Sequence, residues 1–151
     1  MHSDKLRVYL DSNVFIFGKE IPESNSRMIL DLAEEGKFVP VVSFMTLEEL
    51  REYFSRRYGR DAAINEVYYL VSLPTLEIVS RDRVEKLLNK YKGIVPDKDL
   101  PHLVSAIKAN ADYFITYNRH FLVTKAKKYV KVLKQTEFVR LFGIEPQPTE
   151  Y

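Results

Sequence analysis

DLPHLVSAIKANADYFITYN, residues 99–118, holds a helix, a short link and a strand in one unbroken run. Pro101 falls in the first turn of the helix, where its missing N–H costs nothing, so the helix is expected over 101–111. DYFIT (112–116) is the strand. An acid, Asp99, stands just before the helix, and a polar residue, Asn118, lies two residues past the strand. Working outward, the same alternation recurs. RVYL (7–10) is a short apolar, β-prone run that reads as a buried strand and ends at Asp11. SNSRMILDLAEEGK (24–37) puts Met28, Ile29, Leu32 and Ala33 on one helical face, with Gly36 as a stop. FVPVVS (38–43) is a second strand, with Pro40 marking an irregular or peripheral start. In the helix expected over 46–59, Leu47, Leu50 and Phe54 have helical spacing, and Thr46 and Glu49 stand in capping-box register. Residues 60–73 form another helical pattern, ended by Pro74. LEIVS (76–80) is a strand, RDRVEKLLNKYKG (81–93) an amphipathic helix, YVKVL (129–133) a last strand, and TEFVRLFG (136–143) a closing helix capped by Thr136. Such alternation predicts an α/β layer fold around a central, mostly parallel sheet of about five short strands. One domain is expected over 1–143, with a short loose tail at 144–151.

The length, 151 residues, suits one domain with a proper core, and 46% apolar and 29% charged residues are ordinary for a globular chain. No apolar run approaches a membrane span, and the start, MHSDKLRVYL, lacks the apolar stretch of a signal peptide. A cytoplasmic location with no membrane partner is the expectation. The absence of cysteine excludes disulfides and thiolate metal sites. His2, His102 and His120 are widely spaced, so any metal is expected to be a hard cation held by oxygens. The net charge of +2 is unevenly spread. From Tyr113 to Thr136 there is no acidic residue, while Arg119, Lys125, Lys127, Lys128, Lys131 and Lys134 all fall there. Arg56, Arg57 and Arg60 form a second basic cluster, interleaved with Tyr58. Basic patches beside acidic groups suit a polyanion, and a solvated lysine-rich surface is the plainer alternative.

In an α/β sheet the functional crevice lies at the carboxyl ends of the strands. Asp11 and Asn118 both fall at that edge. Glu48 and Glu49 begin a helix, and Asp97 and Asp99 precede another. Carboxylates gathered in one crevice repel one another until a divalent cation relieves them. A bound cation lowers the pKa of a water and steadies charge on a phosphoryl group, so phosphodiester hydrolysis needs neither a histidine base nor a cysteine. Each residue also has a plainer role. Asp11 and Asn118 suit turns, Glu48 and Glu49 favour a helix start, and Asp99 suits an N-cap. His102, in the first turn of its helix, reads as a packed or capping histidine.

Together these parts resemble the PIN-domain family, small metal-dependent ribonucleases that include VapC-like toxins of toxin–antitoxin systems. The matching pieces are YLDSNVFI (9–16), VVSFMTLEELREYF (41–54) and DLPHLVSAIKANADYFITYNRHF (99–121), in the family's order. The resemblance implies three layers, α/β/α, with helices on both sides of the sheet, and implies that Asp11, Glu49 and Asp99 bind Mg²⁺ or Mn²⁺, with Glu48 as the register alternative to Glu49 and Asp97 as a neighbour that assists. Asn118 takes the place where many members carry a fourth aspartate, in a segment that here reads ITYN, and an amide brings no charge. Ser12, Asn13 and Thr116 resemble the small polar groups that support such a site. Arg56, Arg57, Arg60, Arg119, Lys125, Lys127 and Lys128 are the expected RNA-backbone contacts, and Tyr58 or Tyr117 suits stacking on an unpaired base. The implied partners are an RNA substrate, an antitoxin and a second copy of the chain. The alternative reading is a degenerate PIN domain that binds RNA or protein without cutting.

Overall fold

The computed structural model describes residues 5–122 and 124–151. The chain runs β1 (Arg7–Leu10), α1 (Ser12–Glu20), α2 (Asn25–Glu34), β2 (Val39–Ser43), α3 (Phe44–Tyr58), α4 (Arg60–Val71), β3 (Glu77–Val79), α5 (Arg81–Glu85), α6 (Leu88–Tyr91), α7 (Leu100–Lys108), β4 (Tyr113–Ile115), a 3₁₀ turn (Arg119–Phe121), α8 (Thr124–Lys127), β5 (Lys131–Leu133) and α9 (Gln135–Leu141). The strands form one five-stranded parallel sheet in the order β3-β2-β1-β4-β5. The three-layer α/β fold expected from the sequence is therefore the one observed. Among the described residues no helix is long and apolar enough to cross a membrane.

β1 is apolar without alternation because both of its faces are covered. Val8 and Leu10 pack into one core with Val14, Phe15, Ile29, Leu30, Leu50 and Phe54. Tyr9 points the other way, into a second core with Val41, Leu103, Val104, Phe114 and Val132. From β1 the chain builds outward to β2 and β3, then returns to lay β4 and β5 on the opposite side. The order reverses between β1 and β4, and a crevice opens beyond the carboxyl ends of strands at such a point.

Several elements differ from the sequence-based expectation. α1 carries the unbroken apolar run Val14–Phe17, which shows no helical period. It packs against α2 through Gly18, where an added Cβ would lie 2.6 Å from Leu30 Cδ1. The helix expected over 81–93 is two short ones, α5 and α6. Pro40 sits in an interior strand, paired with Val8. The Val39 N–H donates to Leu6 O on the β1 side, so the Pro40 nitrogen faces β3, whose pairing starts only at Val41. Its missing donor thus breaks no ladder bond. α3 starts a turn earlier than expected: Ser43 is its N-cap and Thr46 closes the capping box, which leaves Glu49 free of capping duty. α7 ends sooner, and Asn110 takes the left-handed conformation, φ +53°. α9 begins at Gln135, so Thr136 lies inside it rather than capping it.

The tail 144–151, expected to be loose, carries no helix or strand but is held in place. The buried Asn25 donates to Gln147 O at 3.3 Å and Thr149 O at 2.8 Å, and accepts from Gln147 N at 2.8 Å. Tyr151 stacks on Phe17 with ring centroids 4.2 Å apart. A buried amide with three backbone partners makes the segment part of the packing, which its Pro-rich composition conceals.

Candidate functional site

Asp11 is the first residue past β1, and its N–H donates to Ile115 O of β4 at 3.1 Å. Its carboxylate caps α1 and is only 6% exposed. Oδ1 accepts from Ser12 N at 2.8 Å. Oδ2 accepts from the Thr116 hydroxyl at 2.6 Å and from Asn13 Nδ2 at 3.2 Å. The turn-capping reading of Asp11 is thus met, and the same carboxylate faces the polar groups at the strand ends. Asn13 is held in turn by Gln135 Nε2, which donates to its Oδ1 at 3.2 Å.

Two arms extend from Asp11. On the α3 side the Ser12 hydroxyl donates to Glu49 Oε1 at 2.5 Å, and His102 Nε2 lies 2.7 Å from the same oxygen. His102 Nδ1 is 2.6 Å from the Tyr9 hydroxyl, which is 3.0 Å from Ser43 Oγ. On the β4 side, Thr116 Oγ1 accepts from Asn118 N at 2.9 Å. Asn118 Nδ2 approaches Asp99 Oδ1 at 3.5 Å, and His120 Nδ1 lies 2.6 Å from Asp99 Oδ2. Asp99 stands at the N-cap of α7 but makes no capping hydrogen bond, so its side chain is committed to this network instead.

Asp11, Glu49 and His102 each offer one donor atom within 4.8 Å of the others. Asp99 is linked to Asp11 through two intervening residues, Asn118 and Thr116. Glu49 faces this cluster, whereas Glu48 pairs with Arg81 on the outer side of α3. Asp97 is exposed and stands outside the network. His102, read as a packed or capping residue, is buried as expected but also closes the cluster. Its signal was the spacing Asp-x-x-His at 99–102, which sets both side chains on one face of α7's first turn.

The electrostatics suit a cation. Burial pushes the Asp11 carboxyl above the usual range, with Glu49 adding to the rise and His102 and Thr116 opposing it. Burial also works against the Glu49 carboxylate, but His102 and Ser12 outweigh it and hold the group below the usual glutamate range. Burial disfavours the His102 imidazolium, yet the Tyr9 oxygen and the Glu49 and Asp11 carboxylates overcome it and hold the ring well above the ordinary histidine value. Among the described residues no lysine or arginine pairs with Asp11 or Glu49. Two carboxylates and an imidazole meeting at a buried edge, with no lysine or arginine fixed between them, are a donor set a divalent metal fits.

The expected basic groups divide. Arg56 and Arg57 line a cleft of about 500 Å³ together with Glu49, Glu52 and Tyr53, so a basic flank adjoins the acids. Arg56 pairs with Glu52 at 2.8 Å and Arg57 with Glu20 at 3.5 Å. Arg60 lines a different cleft, with Glu48 and Arg51. Arg119 is exposed beside Asn118, and Lys125, Lys127 and Lys128 are exposed on and after α8. Tyr117 is engaged by the tail, donating to Glu150 and meeting Tyr151 edge to face.

A parallel sheet in this order, with acids gathered where it reverses, defines a class of small α/β proteins with a carboxylate site at the strand ends. The sequence model of the PIN domain matches residues 7–120, and the chain belongs to that family. Among solved structures, VapBC-1 from nontypeable Haemophilus influenzae aligns with a TM-score of 0.61 at 20% identity, over 87% of this chain and 99% of that one. VapBC2 from Rickettsia felis, bound to a DNA fragment from its promoter, gives 0.59 at 17% identity, over 85% and 98%. A toxin–antitoxin complex from Klebsiella pneumoniae gives 0.55 at 15% identity, over 85% and 97%. At these identities the likeness is one of fold. No curated protein sequence matches the chain.

Proposed function

We propose that this protein is a metal-dependent endoribonuclease and the toxin half of a toxin–antitoxin pair. The observation that carries the reading is the meeting of Asp11 and Glu49 at the β1–β4 edge, with no lysine or arginine paired to them among the described residues, linked by hydrogen bonds to Asn118 and Asp99. Asp11, Glu49 and Asp99 would hold Mg²⁺ or Mn²⁺. A bound metal would supply an activated water and charge neutralisation at the phosphate. The chain's own residues do the rest. Thr116, Ser12 and Asn13 fix the Asp11 carboxylate, and Asn118 orients Asp99 and the scissile phosphate. Arg56 and Arg57 hold the RNA backbone along the cleft that begins at Glu49, and Arg119 with Lys125, Lys127 and Lys128 extends the basic surface. The fold shared with a toxin–antitoxin complex supports an antitoxin partner. The reading includes a homodimer in the cytoplasm, which size-exclusion light scattering and cell fractionation test.

The test is an RNA cleavage assay with and without divalent metal, on the wild type and on Asp11→Asn. Metal-dependent cleavage that disappears in the variant is expected, and full activity in a folded Asp11→Asn refutes the reading. The amide of Asn118, where many members of the family have an acid, favours a second reading, a PIN domain that binds RNA without cutting. RNA binding with no metal response and no cleavage selects it.

A further inference from the structure

We propose that His102 is a direct metal ligand beside Asp11 and Glu49, giving a mixed nitrogen–oxygen site that takes Mn²⁺ in preference to Mg²⁺. The inference rests on the metal-site reading above and concerns which atoms hold the ion.

Placement is the first support. His102 Nε2, Glu49 and Asp11 present donor atoms within 4.8 Å of one another, a compactness that Asp99 does not share with them. The second support is what happens at the far side of the ring. Nδ1 is already occupied by the Tyr9 oxygen at 2.6 Å. Tyr9 lies 3.0 Å from Ser43 Oγ, and with its proton donated there its oxygen accepts Nδ1–H. A metal that displaced the Nε2 proton would then meet that nitrogen's lone pair beside the carboxylates, 2.7 Å from Glu49 Oε1. A ring nitrogen tied to a buried acceptor, with the other aimed at acids, is the arrangement by which proteins orient an imidazole toward a metal.

The ring is also confined. His102 is 2% exposed, with Tyr9 edge-on at 5.9 Å and Phe121 at 6.5 Å. The rings hold the imidazole with Nε2 turned to Glu49. Mg²⁺ favours all-oxygen, largely hydrated surroundings, whereas Mn²⁺, a less reluctantly dehydrated transition ion, accepts one imidazole nitrogen among oxygens at less cost. A buried nitrogen donor at this position thus shifts preference toward the transition metal.

The rival arrangement reverses the hydrogen-bond chain. Ser43 donates to Tyr9, Tyr9 to Nδ1, and Nε2–H to Glu49, so His102 only positions Glu49. Electron spin echo of Mn²⁺ bound to the full chain separates the two. Nitrogen modulation from a coordinated imidazole is expected in the wild type and in His120→Gln, and its loss in His102→Gln. Titration should show Mn²⁺ binding more than about tenfold tighter than Mg²⁺, with the preference largely lost in His102→Gln. Mn²⁺ that binds without nitrogen coupling overturns the inference and leaves the metal site standing. Absence of Mn²⁺ and Mg²⁺ binding to the wild type overturns both. The spectrum of a His2→Gln/His120→Gln double variant, in which His102 is the one histidine left, decides the matter even if His102→Gln does not fold.

Discussion

Thr116→Val is the most informative single change at the site. Valine keeps the shape of the buried side chain and removes only the hydroxyl. In the wild type that oxygen donates to Asp11 Oδ2 at 2.6 Å and accepts from Asn118 N at 2.9 Å and Asn13 Nδ2 at 3.2 Å. The change strands one backbone donor and weakens the hold on one carboxylate, while Asn13 Nδ2 keeps its contact with Asp11. An unsatisfied buried polar group costs about 1–3 kcal/mol, so a loss of about 2–3 kcal/mol is expected. For a chain of 151 residues that is roughly 4–12 °C in Tm at about 2–4 °C per kcal/mol. The hydroxyl also lowers the Asp11 pKa, so its removal pushes an already raised carboxyl further up. Metal affinity should fall by about 10–100-fold, the usual cost of losing a group that orients a ligand. Thr116→Ser restores the hydroxyl and should recover most of both effects. Thermal melts and Mn²⁺ titrations of the three proteins give the answer. Equal Tm and equal metal affinity in the valine and serine variants refute the claim that this hydroxyl organises Asp11.

Gly18→Ala should destabilise by about 1–3 kcal/mol, because the new Cβ meets Leu30 Cδ1 at 2.6 Å, and urea denaturation measures it. Burial raises the pKa of Glu66 in the folded chain, against the attraction of Lys19 and Arg27. The protonated form is therefore the one the fold favours. Its contribution is fully present below the unfolded glutamate value and is lost as pH rises through the folded value. Glu66→Gln should accordingly raise Tm at pH 7, with the gain vanishing near pH 4, and a Tm difference independent of pH counts against this. Chelation should lower the Tm of the metal-loaded wild type, by the equivalent of about 2.7 kcal/mol when the metal had stood at 100 times Kd, while Asp11→Asn shows no response. If Arg56 and Arg57 hold phosphates, replacing both with alanine should reduce the salt slope of RNA affinity by about 0.7 for each phosphate no longer neutralised. An unchanged slope removes them from the RNA path.

The sheet was legible because its strands are buried on both faces and so read as plain apolar runs, as in RVYL and FVPVVS. α1 was not, because Val14–Phe17 is uniformly apolar and the reason for Gly18, a close helix contact, lies in a separate segment. Asp11 and Asn118 could be placed at the strand ends from order alone. The choice between Glu48 and Glu49 needed the cap: Ser43 rather than Thr46 starts α3, and that register turns Glu49 inward. The role of His102 was hidden for a related reason. Its partners, Tyr9, Ser43 and Glu49, are brought to it only by the sheet and by α3.

Asp11 takes its orientation from Thr116, 105 residues later in the chain, and its own N–H bonds to Ile115 of the same strand. During synthesis, then, the aspartate emerges 105 residues ahead of the hydroxyl that orients it. Closing so long a loop adds a non-local step, which slows folding relative to local pairing. The site is thus unassembled for as long as the segment between Asp11 and Thr116 is being made, and its acids meet only once β4 has joined β1.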